Sequence, residues 1–516
     1  MQAISIGHAG ILIRTRGITI VCDPWFVPAF FSSWCVFPRN DQLPEDVVHD
    51  ICNPDFLYIS HLHGDHFDIP FLKEKMNKNT TVLLPDFPTR ELEREYNKLG
   101  FRQFVRTING VEQEIAPGVT IAIHPESSIT DGPAGDSALV VSDGDARLVN
   151  QNDCRTNDLG ALRSHGPVDL HWLQFSGAIW YPMVYEMDAA EKKQLCVDKV
   201  ESQFARALRY VEAINATTVV PSAGPPCFLD DDLFHLNMIT GDEASIFPDQ
   251  TEFQRRMADE GRLNAATTIP GTSFTVLGGG VTVEQPMSGE EITRIFTHKA
   301  EYLRSYKADF DSWLHEQKNA WATAPTDLIG TLKLWWEPLM AMATQVRAGI
   351  GANCLLNAGD LAIYINFVDG TVQQHAGEPF SFRFDIARDL VENVVAQRAV
   401  DWSNSLFLSA RFTAWRAGEY NEYIYNFFKS LSVERMTRTE SEAKNKLLGV
   451  PSDESDIVIG DYEVQRRCPH RNADLSVFGE IDGDDLVCTL HGWKFSLEDG
   501  HCRNAAEKAI RVRKRS

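Results

Sequence analysis

The chain has 516 residues, 43% of them hydrophobic and 23% charged, a balance ordinary for a globular protein of about two to four domains. Its formal net charge of −23 argues against a general nucleic-acid or anionic-membrane binder. No segment approaches the roughly 18 apolar residues that span a bilayer, no secretory signal is visible, and ten cysteines are too few for a disulfide scaffold. We therefore expect a cytoplasmic protein without nucleic-acid or membrane partners.

Short apolar strands dominate the start of the chain, and helical patterns are interleaved with later strands. The first predicted strands are 4–6, 11–13, 18–22 and 56–60. This order favours an α/β sandwich over residues 1–250. The middle region, 251–434, is predicted to be helix-rich and then mixed α+β, with its aromatic residues in the core. Residues 435–516 are predicted to form a small all-β domain.

A histidine-rich motif, H-x-H-x-D-H, follows the predicted strand that ends at Ser60. The i, i+2 spacing directs His61 and His63 to one metal centre, and Asp65 with His66 to an adjacent one. Buried without an ion, this set would be too polar for a core. We therefore predict a metal site and set aside the alternative of surface histidines.

This motif resembles that of the metallo-β-lactamase fold, and the resemblance covers about residues 1–250. It implies an αββα sandwich with further metal ligands, for which the matching positions are His124, a bridging Asp153 and, as a substitute for the last ligand, His235. Asp65 and Asp153 are then the predicted catalytic carboxylates. Asn152 stands where the family usually has glycine. For His124 and His235, a purely structural histidine is the alternative interpretation.

A second motif near the end of the chain combines one cysteine and one histidine in each half. Cys468 and His470 form C-x-H, and Cys488 and His491 form C-x-x-H. Two thiolates can hold one iron of a [2Fe–2S] cluster while two imidazoles hold the other. The alternative is a zinc site, but zinc fingers normally pair the cysteines first and the histidines second.

The segment 435–516 resembles the Rieske domains of ring-hydroxylating and related oxygenases, including Gly492, Trp493 and Phe495 after the second half-motif. The two extra cysteines that form a disulfide in respiratory Rieske proteins have no counterpart in these loops. The resemblance therefore implies the oxygenase or ferredoxin class. Nearby arginines and lysines are a candidate docking face for an acidic electron donor, or an ordinary solvated basic tail.

The two motifs together resemble the CMP-N-acetylneuraminate hydroxylase family, with the domains in the opposite order. That resemblance implies a monooxygenase acting on a small-molecule substrate with O₂, using a [2Fe–2S] Rieske cluster and one or two non-haem irons. A ferredoxin, cytochrome or flavin reductase would donate the electrons. Zinc is the alternative metal, in a hydrolase with a regulatory Rieske domain, and a non-enzymatic electron carrier is a third hypothesis. A homo-oligomer, with electron transfer between chains, stays open.

Overall fold

The computed structural model describes a set of ranges that together cover most of the chain. They are residues 1–87, 89–126, 135–156, 159–177, 179–237, 246–321, 327–447, 455–469, 474–488, 493–503 and 508–515, without the side chains at 445–447 and 477. Among these residues, no helix combines the length and the apolar character needed to cross a bilayer.

Eight strands form the first sheet. They are β1 (Gln2–Gly7), β2 (Gly10–Thr15), β3 (Ile18–Cys22), β4 (Phe56–Tyr58), β5 (Thr81–Leu84), β6 (Phe104–Arg106), β13 (Ser273–Leu277) and β14 (Gly280–Glu284). The order is β14-β13-β1-β2-β3-β4-β5-β6, antiparallel from β14 to β3 and parallel from β3 to β6. Because β13 pairs with β1, this sheet continues past the predicted domain end at residue 250.

Six strands form the second sheet. They are β7 (Gln113–Ala116), β8 (Val119–Glu126), β9 (Asp136–Ser142), β10 (Arg147–Asn152), β11 (Leu170–Gln174) and β12 (Thr218–Ser222). Strands β7 to β10 are antiparallel, and β10 to β12 are parallel. The carboxyl ends of β10, β11 and β12 therefore lie at one edge, where the loops that follow them can meet.

Apolar residues of both sheets face each other and form the central core. Ile11 and Ile20 of the first sheet belong to the same buried cluster as Leu148 and Trp172 of the second. Helices cover the two outer faces: α1 (Glu45–Cys52), α2 (Ile69–Glu74) and α3 (Glu91–Lys98) on the first sheet, α4 (Leu159–Ser164), α5 (Ala189–Ile214) and α6 (Gln250–Asp259) on the second. The predicted αββα sandwich is confirmed.

A second module follows the sandwich. Its helices are α7 (Gly289–Thr297), α8 (Lys299–Ala320), α9 (Leu328–Met342), α10 (Thr344–Ile350), α11 (Arg388–Ala396), α12 (Glu422–Lys429) and α13 (Val433–Leu447). Its sheet, in the order β17-β16-β15-β18-β19, consists of β15 (Cys354–Ala358), β16 (Leu361–Asn366), β17 (Thr371–Gln374), β18 (Phe382–Ile386) and β19 (Phe412–Arg416). Trp336, Trp402 and Phe428 pack in its core, as the predicted core role of the aromatic residues requires.

The last module is a small β domain with one short helix, α14 (Leu475–Phe478). Its two three-stranded sheets consist of β20 (Asp456–Ile459), β21 (Tyr462–Gln465) and β25 (Val512–Lys514), and of β22 (Gly479–Asp482), β23 (Asp485–Cys488) and β24 (Trp493–Ser496). Its core joins that of α5, because Phe204 and Tyr210 belong to the same buried cluster as Cys468 and Phe478. The domain therefore docks on the helical face of the second sheet.

Candidate metal centre

The H-x-H-x-D-H motif lies in the loop between β4 and α2. His61, Asp65 and His66 are almost fully buried, although each is a titratable group. The loop is fixed at its far end by Asp68, whose carboxylate accepts hydrogen bonds from the backbone N–H groups of Phe26 and Phe71. A loop held at both ends can present several side chains to one point, which a regular strand or helix of the same length cannot do.

His61 and His63 form one half of the site. The Nε2 atom of His61 lies 2.7 Å from Nδ1 of His63. On its other side, Nδ1 of His61 lies 3.0 Å from the Ser60 hydroxyl and 3.3 Å from the carboxylate of Asp136. Burial, together with the neighbouring imidazoles, lowers the pKa of His61 to about 4 and of His63 to about 3. Both rings are therefore neutral at neutral pH, the form that binds metal.

His66, Asp65 and Asp153 form the other half, joined by His8. The Nε2 atom of His66 lies 3.6 Å from the carboxylate of Asp153 and 3.9 Å from that of Asp65. His8, in the turn between β1 and β2, brings its Nε2 to 3.1 Å from Asp65. Donor atoms of His8, His66 and Asp153 lie within 4.8 Å of one another. The division into two adjacent metal centres, one with His61 and His63 and one with Asp65 and His66, stays a prediction.

Asp23 and Ser60 orient the imidazoles from behind. Asp23 accepts a 2.8 Å hydrogen bond from the Ser60 N–H and lies 3.4 Å from Nδ1 of His66. The Ser60 hydroxyl lies 3.2 Å from that same nitrogen. Because its Nδ1 faces this support, the Nε2 of His66 is directed toward Asp65 and Asp153. Partners of this kind set the tautomer and the orientation of metal-binding histidines.

The charges at the site fit a bound cation. Burial alone would lower the pKa of His66, but Asp153, Asp65 and Asp23 outweigh it and hold that pKa well above its usual range. In turn, the imidazoles hold the pKa of Asp65 below its usual range, and that of Asp153 at about 2, against the opposing effect of burial. A divalent metal can replace the proton that His66 carries among these carboxylates.

Unpaired donor atoms support the same fit. The buried Nε2 atoms of His63 and His66 and the carboxylate atom Oδ1 of Asp153 have no hydrogen-bond partner among the described residues. Buried polar atoms in native proteins nearly always have a partner. Imidazole nitrogens and carboxylate oxygens are donors that zinc and non-haem iron both accept.

His124 and His235 lie apart from this cluster. Strand β8 turns Ile121 and Ile123 toward the central core, so the alternation of side chains puts His124 on the opposite face. There its Nε2 lies 2.8 Å from Nε2 of His165. His235 is exposed on a 3₁₀ turn and lines a separate cavity with Lys318 and Arg411. Neither is brought to the site as the sequence predicted.

His8 and Asp136 are contributed by segments that the sequence analysis did not select. His8 has a left-handed φ of 51°, and its carbonyl accepts a hydrogen bond from Ala223 in the loop after β12. His8 thus supplies an imidazole where the sequence suggested His235. The only sequence feature that could have indicated His8 is the Gly7-His8 pair at the end of the first strand. Asn152 has a φ of 40°, a conformation that glycine and asparagine tolerate best, which explains why it can replace the usual glycine.

A cavity of about 380 Å³ opens directly above the histidines. Its walls come from the sandwich and from the second module. Away from the candidate metal ligands, the lining includes Trp34, Arg155, Trp180, Tyr181, Lys199, Ser202, Gln203, Arg206, Arg416, Tyr420, Tyr425 and Lys429. The two modules meet here through a hydrogen bond between the hydroxyls of Tyr185 and Tyr425. The cavity is large enough for a small metabolite.

The second metal-binding motif is described only in part. Cys468, three residues beyond β21, and Cys488, at the end of β23, are fully buried, and the strands before both half-motifs are as predicted. The predicted ligands His470 and His491 lie outside the described residues. Two buried thiols at neighbouring loops fit the cysteine half of a cluster site.

Comparison with known proteins agrees with this domain organisation. One family model, the Rv3818-like, SCP2-like domain, matches residues 328–445, and the Rieske [2Fe–2S] domain model matches residues 440–513. The chain is 42% identical to a protein of Mycobacterium tuberculosis provisionally named Rieske 2Fe-2S iron-sulfur protein Rv3818, over 99% of both chains. It is 41% identical to a Mycolicibacterium smegmatis protein of the same provisional name, over the full length of both.

A more distant similarity covers a smaller part of the chain. The chain is 28% identical to the cytidine monophosphate-N-acetylneuraminic acid hydroxylase of Xenopus laevis over 199 residues, which are 36% of this chain and 31% of the hydroxylase. The resemblance to the hydroxylase family that the sequence suggested is therefore confirmed for a part of the chain. The SCP2-like character of the second module was not predicted, because its apolar core carries no motif with recognisable chemistry.

Proposed function

Because the chain belongs to the Rv3818-like family of Rieske [2Fe–2S] proteins, we propose that it is a Rieske-dependent oxygenase with a non-haem iron site in its sandwich domain. A Rieske cluster transfers single electrons, and iron held by imidazoles and carboxylates can use them with O₂. The similarity to a protein named as a hydroxylase supports the same class of reaction. The substrate is a small molecule held in the cavity above the histidines.

The observation that carries this proposal is the position of α5 between the two sites. On one side, Tyr210 packs against Phe478 of the Rieske domain, and Arg209 forms an ion pair with Glu480. On the other side, Lys199 and Arg206 line the cavity beside the histidines. One helix therefore contacts both the domain that supplies electrons and the cavity that would use them. This supports electron transfer within one chain.

The chain's own residues have distinct roles in this proposal. His61, His63, His66, Asp65 and Asp153 would hold the iron, with His8 as a further donor. Bound there, the iron would supply the site of O₂ reduction. Asp23 and Ser60 orient His66, and Asp136 orients His61, so that the donor nitrogens face inward. The aromatic residues of the cavity wall would limit the access of bulk water to the reacting centre.

An external ferredoxin, cytochrome or flavin reductase would reduce the cluster. The surface it would approach is of mixed charge, because the arginines predicted as a basic docking face form ion pairs. Arg466 pairs with Asp474 at 2.8 Å, and Arg511 with Asp456 at 2.9 Å. Docking through a strongly basic face is therefore disfavoured, and the donor would recognise an alternating pattern of charges.

Metal analysis combined with a single turnover tests the proposal. The protein would be reduced under anaerobic conditions and mixed with O₂ while the cluster's absorption is followed. We expect iron beyond that of the cluster, and cluster reoxidation that slows at least tenfold in His63→Ala. Zinc in the sandwich with unchanged reoxidation would favour the hydrolase. If His63→Ala keeps both the metal content and the rate of cluster reoxidation of the wild type, a simple electron carrier is favoured.

A further inference from the structure

Helix α5 presents a polar stripe toward the cavity. Lys199, Ser202, Gln203 and Arg206 are spaced i, i+3, i+4 and i+7, so they share one face, and all four line the cavity. Gln203 and Arg206 are only 5% and 6% exposed. This face of α5 therefore places polar and cationic side chains at the cavity wall.

Gln203 fixes the stripe in place. Its Nε2 donates a 2.8 Å hydrogen bond to the carbonyl of Gly177, and its Oε1 accepts one from the Ser176 hydroxyl at 3.3 Å. Lys199 is held similarly, with its Nζ 3.0 Å from the carbonyl of Tyr181. Lys199 and Gln203 therefore have defined positions relative to the loop after β11.

Positive charge accumulates at this wall. Arg155 follows the proposed ligand Asp153 by two residues and lines the same cavity as Lys199 and Arg206. Burial, then the nearby charges of Arg155 and Arg206, lower the pKa of Lys199 to about 7. The carboxylates that line the cavity, Asp65, Asp136 and Asp153, belong to the histidine cluster. The cavity is therefore polarised, with metal ligands at one end and cations beside it.

Aromatic residues form the remaining wall. Trp180 and Tyr425 lie with ring centroids 5.7 Å apart, and Tyr420 stacks on Tyr425 at 5.6 Å. The guanidinium of Arg416 lies 4.8 Å from the ring centre of Tyr181. A flat or apolar part of a ligand can rest against such a surface.

We propose that Arg155, Lys199 and Arg206 form an anion-binding wall that holds the carboxylate or phosphate group of the substrate beside the metal centre. That the bound anion is a substrate rests on the proposed function, but the wall would bind anions whatever the reaction is. Charge-assisted hydrogen bonds from lysine and arginine to an anion supply the affinity. The aromatic wall would contact the uncharged remainder of the substrate.

Calorimetric titration of the metal-loaded protein with sulfate and with acetate tests this wall. Sulfate represents a phosphate group and, unlike phosphate, does not titrate near neutral pH. We expect binding of one of them to the wild type, and at least about tenfold weaker binding to Lys199→Met and to Arg155→Gln. Tighter sulfate than acetate binding identifies a phosphate-type ligand, and the reverse identifies a carboxylate.

Lys193→Met is the matched control, because Lys193 is exposed on the same helix and should not affect anion affinity. Metal content is measured in every variant, so that an anion held by the metal alone is recognised by equal affinity in all of them. That outcome, or no binding of either anion, overturns the proposal. Since the titration involves neither O₂ nor electron transfer, it can fail while the oxygenase proposal holds, and the reverse is also true.

Proton uptake gives a second readout. The groups facing Lys199 are Arg155, Arg206, the Cys196 thiol and Tyr181. Burial raises the pKa of Cys196, so that thiol stays neutral. An anion beside Lys199 should raise the lysine's pKa, and sulfate binding at pH 8 should therefore take up a proton in the wild type and not in Lys199→Met. Equal proton uptake in both would also contradict the proposed wall.

Discussion

Tyr210 of α5 meets Phe478 of the Rieske domain edge to face, with ring centroids 6.2 Å apart. Arg206, four residues earlier and so on the preceding turn of α5, lines the cavity above the histidine cluster. A contact this close to both sites makes the docking of the Rieske domain part of the proposed electron path. The contact also allows electron transfer within one chain to be tested directly, by substituting a residue at this interface.

Tyr210→Ala should slow electron transfer from the reduced cluster to the sandwich by at least about tenfold, because it removes the aromatic contact that seats the domain. The measurement is the rate of cluster reoxidation after mixing with O₂. Phe380→Ala is the control, since Phe380 makes a similar edge contact with Trp415 but far along the chain, in the second module. An unchanged rate in Tyr210→Ala would show that this contact does not position the domain.

His66→Ala should remove the metal of the sandwich while the cluster's absorption spectrum stays unchanged. His66 has an inward-facing nitrogen with no hydrogen-bond partner among the described residues, and its loss leaves Asp65 and Asp153 without their main counter-charge. Elemental analysis gives the metal content. His124→Ala is the matched control, because His124 contacts His165 on the opposite face of its sheet and should leave the metal in place.

These two histidines also show how far the sequence could lead. Local spacing was sufficient to predict that the side chains from His61 to His66 lie together, since all of these candidate ligands come from one loop. His8 and Asp136 could not be found in that way, because only the pairing of distant strands brings them to the loop. His124 was a wrong candidate that strand alternation could have rejected: Ile121 and Ile123 face the core, so His124 faces away.

The fold itself was largely predictable, because short apolar strands and a long amphipathic helix have clear periodicities. The extent of the sandwich was harder, since β13 and β14 return to the first sheet after a long helical excursion. The cavity walls were not predictable at all. Tyr425 and Arg416 come from the second module, and nothing in their local sequence distinguishes a cavity lining from a core.

Asp23→Asn should weaken metal binding by about 10- to 100-fold without preventing folding. Asp23 accepts a hydrogen bond from the Ser60 N–H and lies beside Nδ1 of His66. The substitution therefore disturbs the orientation of His66 but leaves this candidate ligand present. Metal affinity is measured by competition with a chelator. Asp143→Asn is the control: that carboxylate is also buried but accepts a hydrogen bond from the Thr15 hydroxyl away from the site, so the substitution should affect stability only.

Cys488→Ser should abolish the cluster's visible absorption, whereas Cys502→Ser should retain it. Both cysteines are buried in the core of the same domain, so the two variants differ in the predicted ligand role and not in burial. Optical and paramagnetic resonance spectra of the purified, reduced proteins give the result. Loss of the cluster in both variants would mean that folding of the domain, and not ligation, is being measured.

Lys199→Met should make the protein more stable, and the gain should depend on pH. The folded-state pKa of Lys199 is about 7, below its ordinary value of 10.5, so between these values the unfolded chain binds more protons than the folded one. The contribution of this lysine to stability therefore rises with pH across that window, and its full cost is present below pH 7. Since the side chain keeps some exposure, we expect a gain of about 1 to 3 kcal/mol at pH 6.5.

That gain should become small above about pH 10.5, because the lysine is then neutral in the folded protein and mostly neutral in the unfolded chain, so folding no longer buries a charge. Urea unfolding of wild type and variant at pH 6.5 and at pH 10 gives the comparison, with Lys193→Met as the exposed control on the same helix. A gain that is equal at both pH values would mean that the lysine's charge is not what destabilises the wall. A lysine that lowers the stability of the fold but binds an anion is an example of the trade-off between stability and function.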